Sequence, residues 1–131
     1  MLAVLRRRVD LSVAHIDDVR TSVVLDRLRA AVAGDERLQA GLLDRLREHD
    51  ERHHSDYVIT AAAYLAAFGG VAEAADVLVL HPNTLRYRLR RIAESTGVDM
   101  ADADARFVLE LELRMAGLWP GDRHGPGRAG I

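Results

Sequence analysis

Apolar positions recur at helical spacing along nearly the whole chain, and Gly or Pro interrupts the rhythm at intervals. The pattern predicts a helix over about 17–33, stopped by Gly34, and a second over about 36–49 with Leu38, Leu42, Leu43 and Leu46 on one side. The polar run HDERHHSD, 49–56, reads as a connection. A third helix is expected from an N-cap at Ser55 or Asp56 to Phe68, where Gly69 and Gly70 end it. Two more follow at about 71–78 and 82–96, the second closed by Gly97. The segment FVLELELRM, 107–115, alternates as a strand would. Its neighbours ADADAR and AGL extend the apolar pattern to a helix's length and no partner strand is visible, so helix is expected there too. The Gly/Pro/Arg-rich end is expected to fray. The fold class is therefore all-α, a small helical bundle.

The segment GGVAEAADVLVLHPNTLRYRLRRIAESTG stands apart. Two short helices separated by residues 79–81 fit a helix-turn-helix, whose close crossing demands small residues on its first helix. Ala74 and Ala75 supply them, and Leu78 and Leu80 supply apolar contacts near the turn. Pro82 suits the first helical position, where its missing N–H is no loss, and this places His81 at the N-cap. On the second helix Leu85, Leu89, Ile92 and Thr96 share the inward side. The opposite side presents Asn83, Tyr87 and Arg90, flanked by Thr84, Arg86 and Arg91, with Arg88 nearer the buried edge.

An arginine-rich face also suits an ordinary solvated helix. The Ala-rich helix, the short turn and the Pro-capped start together favour a nucleic-acid interface. An α-helix fits the major groove of duplex DNA, where Arg pairs with guanine and Asn with adenine. Asn83, Thr84 and Tyr87 offer hydrogen bonds at the helix start, Arg86, Arg90 and Arg91 offer charge, and the helix N-terminus near His81 attracts phosphate.

Composition changes this picture little. The 131 residues have 49% hydrophobic content, enough for a core, and carry a formal charge of −2. That charge matters less than its distribution, because no acid interrupts the arginines between His81 and Arg91. All 18 basic residues are arginine, the usage of a GC-rich bacterial genome, and cysteine is absent, which excludes disulfide and thiol chemistry. The start MLAVLRRRVD places its arginines after the apolar run, the reverse of a secretory signal, and no stretch has the length of a membrane span. A cytoplasmic location follows as the expectation.

The run VAEAADVLVLHPNTLRYRLRRIAESTGVDM resembles the C-terminal helix-turn-helix of the PucR/CdaR-type bacterial transcription regulators, itself similar to the Fis DNA-binding domain. The resemblance continues downstream through DADARFVLELELRMAGL and upstream through LLDRLREHDERHHSDYVITAAAYLAAFGG, and is strongest over about 55–118. It implies a DNA-binding module acting as a dimer or higher oligomer. It also implies a metabolite effector bound by a sensory region not in this chain, which makes the chain a fragment or a short member. The division expected is a helical extension over 1–54, serving as linker or dimerisation helices, a DNA-binding domain over 55–118 and a flexible tail over 119–131. Two positions depart from the family's commoner pattern. Pro82 stands where many members carry a basic residue, and Val79 where related turns place Gly, so the turn has no easy route to positive φ.

Other clusters carry less. His49, Asp50, Glu51, His53, His54 and Asp56 have some metal-ligand spacing but lack a distant ligand set to complete a site, so a polar connection is the simpler reading. Asp102 or Asp104 is expected to cap the last helix, with Glu110 and Glu112 on its surface, and Trp119 to plug a core or interface. No phosphate loop or nucleophile elbow is present, and no enzyme activity, metal or cofactor is expected. Three functions remain open at this stage: a sequence-specific regulator, a Fis-like architectural DNA-bending protein, and a helical adaptor whose arginines meet an acidic protein. A homodimer is expected, through Phe107, Leu111 and Met115 or through the leucines Leu25, Leu28, Leu38, Leu42 and Leu46.

Overall fold

The computed structural model describes residues 19–39 and 41–121, so the start of the first expected helix and most of the expected tail lie outside the described residues. The chain is helical at 19–32 (α1), Glu36–Gln39 (α2), Leu42–His53 (α3), Tyr57–Ala66 (α4), Val71–Leu78 (α5), Pro82–Thr96 (α6) and Ala103–Met115 (α7). No strand occurs among the described residues. The alternating segment 107–115 is helix. Its Leu109 and Leu113, one turn apart, are fully buried, while Phe107 between strand-like neighbours turns outward. Asp102, rather than Asp104, caps α7 by accepting from the Ala105 N–H at 3.2 Å.

Two expectations need correction, and both fail because of capping from a distance. The helix expected over 36–49 is broken at Gly41, and Leu38, expected on one side with Leu42, Leu43 and Leu46, is 59% exposed. Gly41 has no side chain to cap α3. Glu112 of α7 does so instead, its two carboxylate oxygens accepting from the N–H groups of Leu42 (3.1 Å) and Leu43 (3.2 Å). A Cβ at Gly41 would overlap that carboxylate, so Glu112 is a structural cap and not a surface acid.

The second correction concerns 49–56. α3 runs through to His53, leaving 54–56 as the connection, and His54 ends the helix in the left-handed region at φ 51°. Neither Ser55 nor Asp56 caps α4 with its side chain. Asp50 reaches across from α3, accepting from the N–H groups of Tyr57 (2.8 Å) and Val58 (3.0 Å) and from the Ser55 hydroxyl (2.6 Å). A polar residue with all these partners belongs inside a helix pair as readily as in a loop.

The main core gathers Leu43 and Leu46 of α3, Tyr57, Ala61 and Leu65 of α4, Ile92 of α6, Val98 and Met100 of the following turn, and Leu109 and Leu113 of α7. A second cluster, Ala74, Ala75 and Leu85, sits where α5 crosses α6. Tyr64 and Leu89 pack against both clusters, joining the helix-turn-helix to the bundle. Trp119 also packs on the main core, with the Arg114 guanidinium 4.5 Å from its ring, so it is a plug, as expected. α1 docks through Arg29, whose side chain donates to the end carbonyls of α7, Met115 at 2.7 Å and Arg114 at 3.1 Å.

Candidate nucleic-acid interface

The angle between α5 and α6 is set by small residues and a tight turn. Ala74, Ala75 and Leu85 are each 0% exposed, and the alanines let the α6 backbone approach closely enough for Leu85 to fill the crossing. The Leu80 N–H donates to the Ala75 carbonyl (2.8 Å) and that of Val79 to the Asp76 carbonyl (3.2 Å), a Schellman closure of α5. That closure requires a left-handed residue, and Val79 takes it at φ 56°, ψ 47°. A β-branched residue is strained there, and its side chain, 89% exposed, recovers almost nothing by burial. Val79→Gly is therefore expected to stabilise the fold by about 1 kcal/mol. Thermal melting checks this, with Val77→Gly inside α5 as the control expected to destabilise by a similar amount.

α6 starts as the sequence predicts. His81 is the N-cap, its Nδ1 accepting from the Asn83 N–H at 3.0 Å, and Pro82 occupies the first turn. With Nδ1 accepting, the neutral ring carries its proton on Nε2, a donor directed away from the cap. Gly97 closes the helix at φ 77°. Leu85 and Ile92 are buried and Leu89 and Thr96 partly so, whereas His81, Asn83, Thr84, Arg86, Tyr87, Arg90 and Arg91 are all exposed. The structure thus brings every singled-out side chain to one outward surface.

Within that surface the side chains are not equivalent. Arg86 donates to Asn83 Oδ1 at 2.9 Å, which braces the Asn83 amide and leaves its NH₂ donors outward. Arg91 pairs with Glu94 at 3.3 Å, a half-exposed contact worth little against a phosphate. Arg88 is set apart, since its guanidinium donates to Thr60 Oγ1 (3.2 Å), and Thr60, itself fully buried, donates to the Asp56 carbonyl at 2.6 Å.

Sequence reasoning missed a second group beside this surface. The His49 ring stacks on Tyr57 at 4.1 Å and lies 4.5 Å from His53. Burial lowers the His49 pKa from its ordinary 6.5, His53 and Arg91 lower it further, and Asp50 opposes them. The histidines share a cleft with Arg45 and Arg52 and with the end of α6. Their i, i+4 spacing was visible, but their meeting with α6 depends on the fold.

Comparison with known proteins agrees with this geometry. Residues 57–115 match the family described as the PucR C-terminal helix-turn-helix domain. The chain is similar to the DNA-binding transcriptional activator AdeR of Bacillus subtilis, 32% identical over 64% of this chain and 21% of that one. It is 34% identical to the proline-responsive transcriptional activator PutR of the same organism, over 53% of this chain and 17% of that protein. It is also 34% identical to the carbohydrate diacid regulator of Escherichia coli, over 75% of this chain and 24% of the regulator. The chain thus spans between 17% and 24% of the length of these relatives. No solved structure matches it significantly.

Proposed function

Because residues 57–115 belong to the PucR C-terminal helix-turn-helix family, we propose that this chain is the sequence-specific, double-stranded-DNA-reading part of a bacterial transcription regulator working in the cytoplasm. The observation that carries the reading is the outward surface of α6. Its start offers Asn83, Thr84 and Tyr87 to base edges, its length offers Arg86, Arg90 and Arg91, and no acid lies between His81 and Arg91. Leu43 and Leu46 place α3 in the same core, so the reading unit in this proposal starts at α3 and not at residue 55. No described helix is long and apolar enough to cross a membrane. An effector, of the kind that the name of the proline-responsive activator gives for that protein, is assigned to sequence outside these residues.

Selection of duplexes from a random pool, followed by titration of the winner and of a scrambled duplex, tests the reading. Preference of at least about 10³-fold is expected for a specific site. Equal affinity for both duplexes would point instead to an architectural role.

The reading also includes a homodimer. Two of the leucines expected to supply its interface are spent in the monomer, Leu25 at 9% and Leu46 at 0% exposure. Phe68 and Phe107 are instead 97% and 69% exposed, and both line one cleft together with Leu65 and Gly69. We assign the second copy to this surface, none of whose lining residues belongs to α6, and expect the two copies to read half-sites about 34 Å apart. Light scattering at micromolar concentration is expected to show a dimer that Phe107→Asp converts to a monomer. A wild-type particle that stays monomeric both alone and on DNA rejects the assignment.

A further inference from the structure

Next to the C-terminal half of α6, and separate from its base-reading surface, lies an open cleft. α3 lines it with Arg45, His49, Arg52 and His53, and α6 lines it with Ser95 and Thr96. Glu48 also borders it but is paired with Arg52 at 2.6 Å. Arg91 of α6 is near enough to disfavour the charged form of His49, so cations of α6 and of α3 adjoin here. Its other charged neighbours are accounted for: Glu94 pairs with Arg91, and Asp50 is occupied by Ser55 and the start of α4.

The histidine pair gives this cleft its chemistry. The Ser55 hydroxyl donates to Asp50 Oδ1, so its oxygen is left to accept, and His49 Nδ1, 2.8 Å away, must carry a hydrogen. Any further proton on His49 therefore goes to Nε2. That protonation is opposed by burial and by two cationic or protonatable neighbours, His53 and Arg91. A negative charge placed among Arg45, Arg52 and the two imidazoles would be complementary to this lining. A phosphodiester supplies one, with oxygens suited to both guanidinium and imidazolium donors.

We propose that this cleft grips a backbone phosphate of the same duplex, through Arg45, His49, Arg52 and His53, and that the duplex is therefore held more tightly when His49 carries a second proton. The inference rests on the DNA-binding reading above. Its sign follows from linkage. A bound phosphate favours the charged His49 imidazole, so complex formation takes up a proton there, and affinity rises as pH falls towards and through the ordinary histidine value. In the unliganded protein the same histidine acts the other way. The depressed His49 pKa contributes stability that is present above about 6.5 and is lost as pH falls through its folded value.

The test is duplex titration by fluorescence anisotropy from pH 8 to pH 6, at constant ionic strength, with folding followed by circular dichroism. Wild-type affinity is expected to rise on the order of tenfold across that range, one proton per pH unit giving about tenfold. His49→Gln combined with His53→Gln should remove the rise. The exposed Arg52→Gln, which disturbs no core contact, should reduce the salt slope by about one while leaving the preferred sequence unchanged. Wild-type binding with an ordinary salt slope but no pH dependence overturns the cleft and leaves the α6 reading standing. Dependence that survives in the double variant overturns it equally. Failure to bind duplex at any pH in low salt overturns both. Inorganic phosphate at millimolar concentration is expected to leave wild-type melting unchanged. If it raises the melting temperature while duplex affinity stays flat with pH, the cleft is a free-phosphate site and the duplex assignment is wrong.

Discussion

Raising salt from 50 to 200 mM is expected to weaken duplex binding on the order of 10³-fold if two copies engage the site. Each phosphate neutralised by a cation releases counterions, giving a slope of about −0.9 in log K against log salt. α6 presents Arg86, Arg90 and Arg91 to solvent, whereas Arg88 is committed to Thr60. The three α6 arginines of each copy make about six contacts in a dimer and contribute a slope near −5; a monomer would give about half of that contribution and a fall of only about 40-fold from α6, and a cleft contact adds about one per copy to either slope. The measurement therefore tests two things together, the location of the charge and the number of copies. Arg90→Ala should reduce the slope by about one per copy and weaken all duplexes alike. A flat salt response would remove phosphate contact, and with it the α6 reading, whatever the affinity.

The parts of the fold legible in the sequence are those whose signals are local. α5 and α6 have the expected bounds because Gly70, the His81–Pro82 pair and Gly97 act within a turn of the residues they punctuate. The outward surface of α6 follows from the period that buries Leu85 and Ile92. The start of α3 is not legible because its cap is remote, Glu112 of α7, and the cap of α4 is not legible because Asp50 inside α3 supplies it. Leu38 continues the leucine rhythm across Gly41, but that rhythm carries no information about a carboxylate arriving 70 positions later. Val79 is by sequence an awkward residue for positive φ, and the turn takes positive φ there regardless, since closure of α5 outweighs the local strain. The basic cleft escaped for the same reason as the caps. By sequence His49 and His53 fall in a polar connection, and only packing of α3 on α6 sets them beside Ser95 and Thr96.

Asn83→Ala is expected to cost roughly 1–3 kcal/mol at one base pair and to relax preference there, since an Asn at the start of a recognition helix pairs bidentately with adenine. The structure adds a dependence on Arg86. Its guanidinium holds Asn83 Oδ1 at 2.9 Å, fixing which edge of the amide faces outward before any base is met. The oxygen has two lone pairs, so it can keep this bond and still accept from an adenine amino group. Arg86→Ala is therefore expected to remove two things: a cation, which every duplex feels, and a brace, which matters only at the base that Asn83 is proposed to read. The double variant should lose less than the sum of the single losses, with a coupling of about 0.5–3 kcal/mol confined to the cognate duplex. Arg90→Ala, with no bond to Asn83, should show additive effects with Asn83→Ala and no change in base preference. The measurement is a double-mutant cycle on the selected duplex and on its single-base variants. Additive losses for Asn83 and Arg86 would mean the brace is irrelevant to reading. If Asn83→Ala leaves base preference unchanged, α6 enters the groove in another orientation.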